Sequence, residues 1–137
     1  MAPSVDVVFI MEAGACNNNA AKKTFFNSLV SSMVTEFKYL SLESRFAVLL
    51  FGGTQEFEKP RSFTTDGHVF TDDKKINVYF EHLRDGNSTG DVFTALTIAS
   101  KLVFKPGAAK LFILSLCTKC EFNSLKVFCK NVFVTQF

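Results

Sequence analysis

Tryptophan is absent from this chain of 137 residues, and histidine (two) and proline (three) are scarce. No charge of one sign dominates: 15 Lys and Arg stand against 13 Asp and Glu, a net charge of +2. That balance gives no argument for nucleic acid or an anionic membrane as partner. No apolar run approaches ~20 residues, so no membrane-spanning helix is expected. Residues 1–6 lack a basic segment and a long apolar segment, so they do not read as a signal peptide. Also missing are a Gly-x-Ser-x-Gly elbow, a His-Glu-x-x-His helix and a phosphate-cradling Gly-Lys-Thr loop, which removes the commonest hydrolase and nucleotide-binding readings. His68 and His82 read as exposed loop and helix residues, and Asp72 with Asp73 as helix-start charges rather than a paired acid and base. Gly52-Gly53 reads as a turn.

What is present is a globular composition, 47% apolar and 20% charged, in a length that fits one domain, residues 1–137. The 17 phenylalanines are read as core filling in place of Leu and Ile. Residues 5–11 form a near-continuous apolar run broken by Asp6 alone, as in a strand buried on both faces. A polar loop at 12–19 follows. Phe26, Leu29, Val30, Met33, Phe37 and Leu40 then recur at helical spacing, with Asn19 as N-cap. Residues 45–51 are a second buried strand. Residues 54–59 alternate weakly and stop at Pro60, which predicts an edge strand, and 61–71 reads as loop. A helix opening at Thr71, Asp72 and Asp73 presents Ile76, Tyr79, Phe80 and Leu83. Another starts at Asp91, with Val92, Leu96, Ala99 and Val103 as its stripe and Pro106-Gly107 as its end. Residues 110–116 are a third buried strand, 122–127 a short helix and 132–137 a last strand.

This order predicts an α/β fold: a doubly wound, mostly parallel sheet with an antiparallel edge strand and helices on both faces. Ligands in such sheets sit beyond the carboxyl ends of the strands, which directs attention to the loops 12–19, 84–91 and 116–120.

Those loops carry a family resemblance. Asp6-Val7-Val8-Phe9-Ile10-Met11-Glu12-Ala13-Gly14-Ala15-Cys16 resembles the first strand and loop of a von Willebrand factor A-like domain. Arg45-Phe46-Ala47-Val48-Leu49-Leu50-Phe51-Gly52 resembles the second strand, and Gly86-Asn87-Ser88-Thr89-Gly90-Asp91 the family's Gly-Thr-x-Thr-Gly loop. Gly107-Ala108-Ala109-Lys110-Leu111-Phe112-Ile113-Leu114 resembles the lead-in to the fourth strand. The resemblance implies a Rossmann-like fold and a metal-ion-dependent adhesion site, where an Asp-x-Ser-x-Ser loop, a loop threonine and a strand-end Asp hold magnesium or manganese. Carried over, those positions become Glu12, Gly14, Cys16, Asn87 and Cys117, with Thr89 matching the second loop threonine. Gly14 has no side-chain oxygen, and the cysteines offer only soft sulfur. A degenerate site that binds no metal and needs no cofactor is therefore expected. The chain also reads as a domain cut from a larger protein and short at its C-terminus.

The resemblance implies that Cys16 and Cys117 lie close together. Three readings stay open: two small buried residues, a disulfide (Cys16–Cys117 or Cys117–Cys120), or a soft-metal site on Cys16, Cys117 and Cys120. Cys129 is a further partner for Cys120, or the missing ligand. Cys117-Thr118-Lys119-Cys120 also sits where a thiol redox motif would. An even cysteine count and the glycosylation sequon at Asn87 lean toward an extracellular, secreted setting. The reading is a non-enzymatic protein-interaction or structural module of a larger extracellular protein, partnered by a matrix or adhesion protein or by a second copy as a homodimer. The alternative is a thiol-based redox or soft-metal module on Cys117 and Cys120.

Overall fold

Every residue of strand β1 (Ser4–Glu12) is buried, as its two-sided apolar character requires. The computed structural model describes residues 2–52, 59–83, 92–117 and 132–136. β1 runs parallel to both of its neighbours, β2 (Glu43–Phe51) and β4 (Ala109–Ser115). Antiparallel strands follow at either side: β3 (Arg61–Ser62) pairs with β2, and β5 (Val132–Gln136) with β4. The five-stranded sheet has the order β3-β2-β1-β4-β5. It is a mixed sheet within an α/β chain.

Alternation along β1 sorts its side chains between two cores. Val5, Val7, Phe9 and Met11 pack with residues of helices α1 (Ala20–Tyr39) and α2 (Asp73–Glu81). Val8 and Ile10 pack on the opposite face with Ala95 and Ala99 of helix α3 (Val92–Ser100). Phenylalanine fills both cores, with Phe9, Phe26, Phe46, Phe51, Phe80 and Phe112 essentially inaccessible to solvent. Phe80 anchors the first core, its ring centroid 5.2 Å from Phe9 and 5.3 Å from Phe26. Each such ring pair adds ~0.5–1.5 kcal/mol beyond the burial itself.

Capping defines the ends of α1. The Asn19 side chain accepts the Lys22 amide proton at 2.9 Å, satisfying one orphan donor of the first turn. At the other end Ser41 adopts φ 56°, a left-handed conformation more usual for glycine. The Ser41 N–H donates to the Lys38 carbonyl and the Leu42 N–H to the Phe37 carbonyl, the paired bonds of a Schellman stop. Asp72 caps α2 in the same manner as Asn19, accepting from the Lys75 amide at 2.9 Å.

Several expectations need correction. The antiparallel strand next to β2 is Arg61–Ser62, inside the stretch read as loop. The expected edge strand at 54–59 falls largely on residues outside those described. A second antiparallel strand, β5, lies at the far side, so the sheet has more than one. α3 ends at Ser100, before Pro106-Gly107. Beyond that end the helical period no longer applies, and Val103 is 88% exposed while Ala95 takes the buried position. Leu40 is exposed for a like reason: it is the C-cap of α1, already turning away from the helix face. Asn87, Thr89, Cys120, Cys129 and the expected helix at 122–127 lie outside the described residues. Among the described residues no helix is long and apolar enough to cross a membrane.

Candidate functional site

β1 has β2 on one side and β4 on the other, so the chain order reverses across β1. In open α/β sheets the crevice beyond the carboxyl ends of strands at such a point is the usual ligand site. Here residues of the chain itself pack into that position. Asn17, Glu12 and Ser115 are 1%, 2% and 0% exposed there. The Asn17 amide donates to the Glu12 carbonyl at 2.7 Å and to the Ser115 carbonyl at 3.1 Å. Ser115 Oγ donates back to Asn17 Oδ1 at 2.6 Å. One side chain thus ties the last residue of β1 to the last residue of β4. In a water-poor setting such a closed network is worth more than its bonds taken singly.

Glu12 and Cys117 complete the junction. Glu12 Oε2 accepts the Cys117 amide proton at 2.6 Å, a charge-assisted bond to backbone. Cys16 and Cys117 are joined by a disulfide with 5.4 Å between their Cα atoms, a covalent link across 101 positions of sequence. So joined, neither sulfur is a thiolate. The loop beneath the bond is braced as well. The Gly14 carbonyl accepts the amide protons of Asn17 and Asn18 at 3.1 and 2.9 Å. The Asn19 amide group donates to the carbonyls of Ala15 and Cys16 at 2.9 and 3.0 Å while its oxygen caps α1.

The structure therefore gathers Glu12, Gly14, Cys16 and Cys117, four of the residues singled out from the sequence. Asn87 and Thr89 cannot be placed with them, lying outside the described residues. Asn17 and Ser115 escaped the sequence reading. Asn17 sat in a three-asparagine stretch read only as polar loop, and nothing local distinguishes it from Asn18. As a donor set for a hard cation the junction is poor: it has one carboxylate, already bonded to an amide proton, and no side-chain oxygen at Gly14. Among the described residues no three His, Cys, Asp or Glu side chains gather in a metal-binding group.

A second buried polar cluster lies at the opposite, amino end of the sheet. Asp6, fully buried, pairs across the β1–β2 ladder with Arg45. Arg45 Nε and Nη2 donate to the two carboxylate oxygens at 2.9 and 2.7 Å, and the Lys105 amide donates to Oδ2 at 2.7 Å. Hydrogen bonding to Asp6 holds the Arg45 guanidinium above its ordinary pKa, against the opposing effect of burial. The guanidinium also stacks on Phe70, 4.6 Å from the ring centroid. Asp6 is thus the single acid that interrupts the first apolar run, and its neighbours explain how a strand core tolerates it.

Compared with protein-family models, with curated proteins and with solved structures, the chain finds no match in any of the three.

Proposed function

We propose that this chain is a doubly wound, von Willebrand factor A-like domain that acts without a bridging cation. Its work is non-enzymatic: binding a protein partner, or architectural support, within a larger extracellular protein. The observation that carries the reading is the junction itself. Where a relative of that family would place its ion, this chain carries the Asn17–Ser115 hydrogen bonds and the Cys16–Cys117 disulfide. Side chains tied to each other there are poor candidates for binding or turning over a small molecule. They hold the surrounding loops as a fixed contact surface, which lowers the ordering cost of binding a partner. A disulfide between half-exposed loops also favours an oxidising compartment.

Isothermal titration of the oxidised chain with magnesium and with calcium tests the central claim. No saturable heat is expected at millimolar ion. A micromolar site that Glu12→Ala abolishes would overturn the reading. Intact-mass measurement with an alkylator, before and after reduction, addresses the thiol-based alternative. The module proposed here shows Cys16 and Cys117 blocked before reduction, whereas a thiol-active module shows Cys117 alkylated at once.

A further inference from the structure

At the amino end of the sheet, far along β1 from the junction, a groove of about 440 Å³ opens beside Arg45. Its volume lies within the ~300–1,000 Å³ usual for binding clefts. Arg45, His68, Phe70, Lys101, Leu102 and Val103 line it. Arg45 and Lys101 carry positive charge, and none of the lining residues carries a carboxylate.

The arrangement is polarised. Asp6 lies behind Arg45, fully buried, and its oxygens are taken by Arg45 and the Lys105 amide. Arg45, in contrast, is 39% exposed along its side chain. Its Nε and Nη2 face the carboxylate, so Nη1 is left on the outer side of the planar fork. The pair as a whole carries no net charge, but the buried acid turns the free edge of the guanidinium outward, so the groove meets the positive end of the ion pair. His68 and Lys101 stand exposed at the rim.

The walls are held from behind. The turn carrying His68 is a tight hairpin: Thr65 and His68 exchange both backbone bonds at 2.9 Å, with Asp66 and Gly67 at positive φ. Thr65 shares a hydrogen bond with the Tyr79 hydroxyl of α2. On the other wall Phe70 packs against Phe104, their centroids 5.3 Å apart. Leu102 and the 88% exposed Val103 supply apolar surface next to the cations.

We propose that this groove docks an acidic, extended segment of a protein partner, its carboxylates on Arg45 Nη1, Lys101 and His68 and an apolar side chain against Leu102 and Val103. Charge complementarity is the argument: the outward guanidinium edge of Arg45 and the exposed Lys101 ammonium beside apolar Leu102 and Val103 fit a peptide that alternates acidic and apolar residues. The inference stands apart from the reading of the carboxyl-end junction, since it uses the other end of the sheet.

The test is fluorescence anisotropy of the oxidised chain with a fluorescein-labelled peptide, Glu-Leu-Glu-Phe-Glu-Leu, and its counterpart with glutamine for glutamate. Saturable binding of the acidic peptide at 25 mM NaCl is expected, at least tenfold weaker for the glutamine peptide and at 300 mM NaCl. Lys101→Glu and, separately, Val103→Asp should each weaken it at least tenfold. Both positions are solvent-exposed, so neither change should shift the melting temperature. Amide shift changes at 67–70 and 101–103 should map the contact. Equal affinity for the two peptides, no saturation at 1 mM protein, indifference to both substitutions, or shift changes confined elsewhere would each overturn the proposal.

Discussion

Removing the Cys16–Cys117 bond is the perturbation whose size follows most directly from the structure. The bond closes a loop of 101 positions, nearly the whole chain between β1 and β4. On chain-entropy grounds a loop of that length confers up to about 4.7 kcal/mol, by restricting the unfolded ensemble. The folded state should survive its loss. β1 and β4 remain paired over seven register positions, and Asn17 still spans their ends. For a domain this size, unfolding entropy of about 2.1 cal/mol/K per residue converts 3–4.7 kcal/mol to a fall of roughly 10–16 °C in Tm. The variant is Cys16→Ala with Cys117→Ala, which keeps both Cβ atoms and adds no polar group. Circular dichroism melts of the two oxidised proteins give the shift, and peptide mapping without reductant gives the pairing. Melts that agree within about 2 °C, or a map that joins Cys117 to a different cysteine, would refute the reasoning.

Two further outcomes are expected. Asn17→Ala removes three buried hydrogen bonds, two to carbonyls and one from the Ser115 hydroxyl, and should cost about 3 kcal/mol in urea denaturation. Its effect should be non-additive with loss of the disulfide, because both tie the same loops; strict additivity would show that they act separately. Ser41→Gly should stabilise by about 0.5–1 kcal/mol, because Ser41 sits at φ 56° where glycine is free of strain. The readout is a higher urea midpoint with an unchanged slope, and a lower midpoint would count against the Schellman assignment.

Local physics made much of the architecture legible in advance. A period of two with both phases apolar marked β1, β2 and β4 as interior strands, since a strand so composed has to be covered on each side. A period near 3.6 marked α1 and α2; Asn19 announced the first start as an N-cap whose short side chain reaches an orphan amide, and Asp72 with Asp73 announced the second as carboxylates at the positive end of a helix. The Asp6–Arg45 pair left a trace as well. Each is a lone charge at the same depth in a neighbouring apolar run, and parallel register sets them side by side. That trace is readable only once the two runs are known to be adjacent.

Periodicity reports which face of an element is buried and is silent about what covers it. The residues of the carboxyl-end junction are where that silence matters. Glu12, Asn17, Ser115 and Cys117 meet across about a hundred positions of chain, and each sits in a stretch whose composition looks like an ordinary strand end or polar loop. The antiparallel β3, two residues long, is too short to show a period. The direction of β5 depends on where the chain returns, not on its own residues. Composition and spacing thus settled the α/β character, the interior strands and the helix starts, all of which rest on neighbours a few residues apart. Folding brought the distant ends of β1 and β4 into contact, and that meeting alone made one asparagine of three the buried clasp between them.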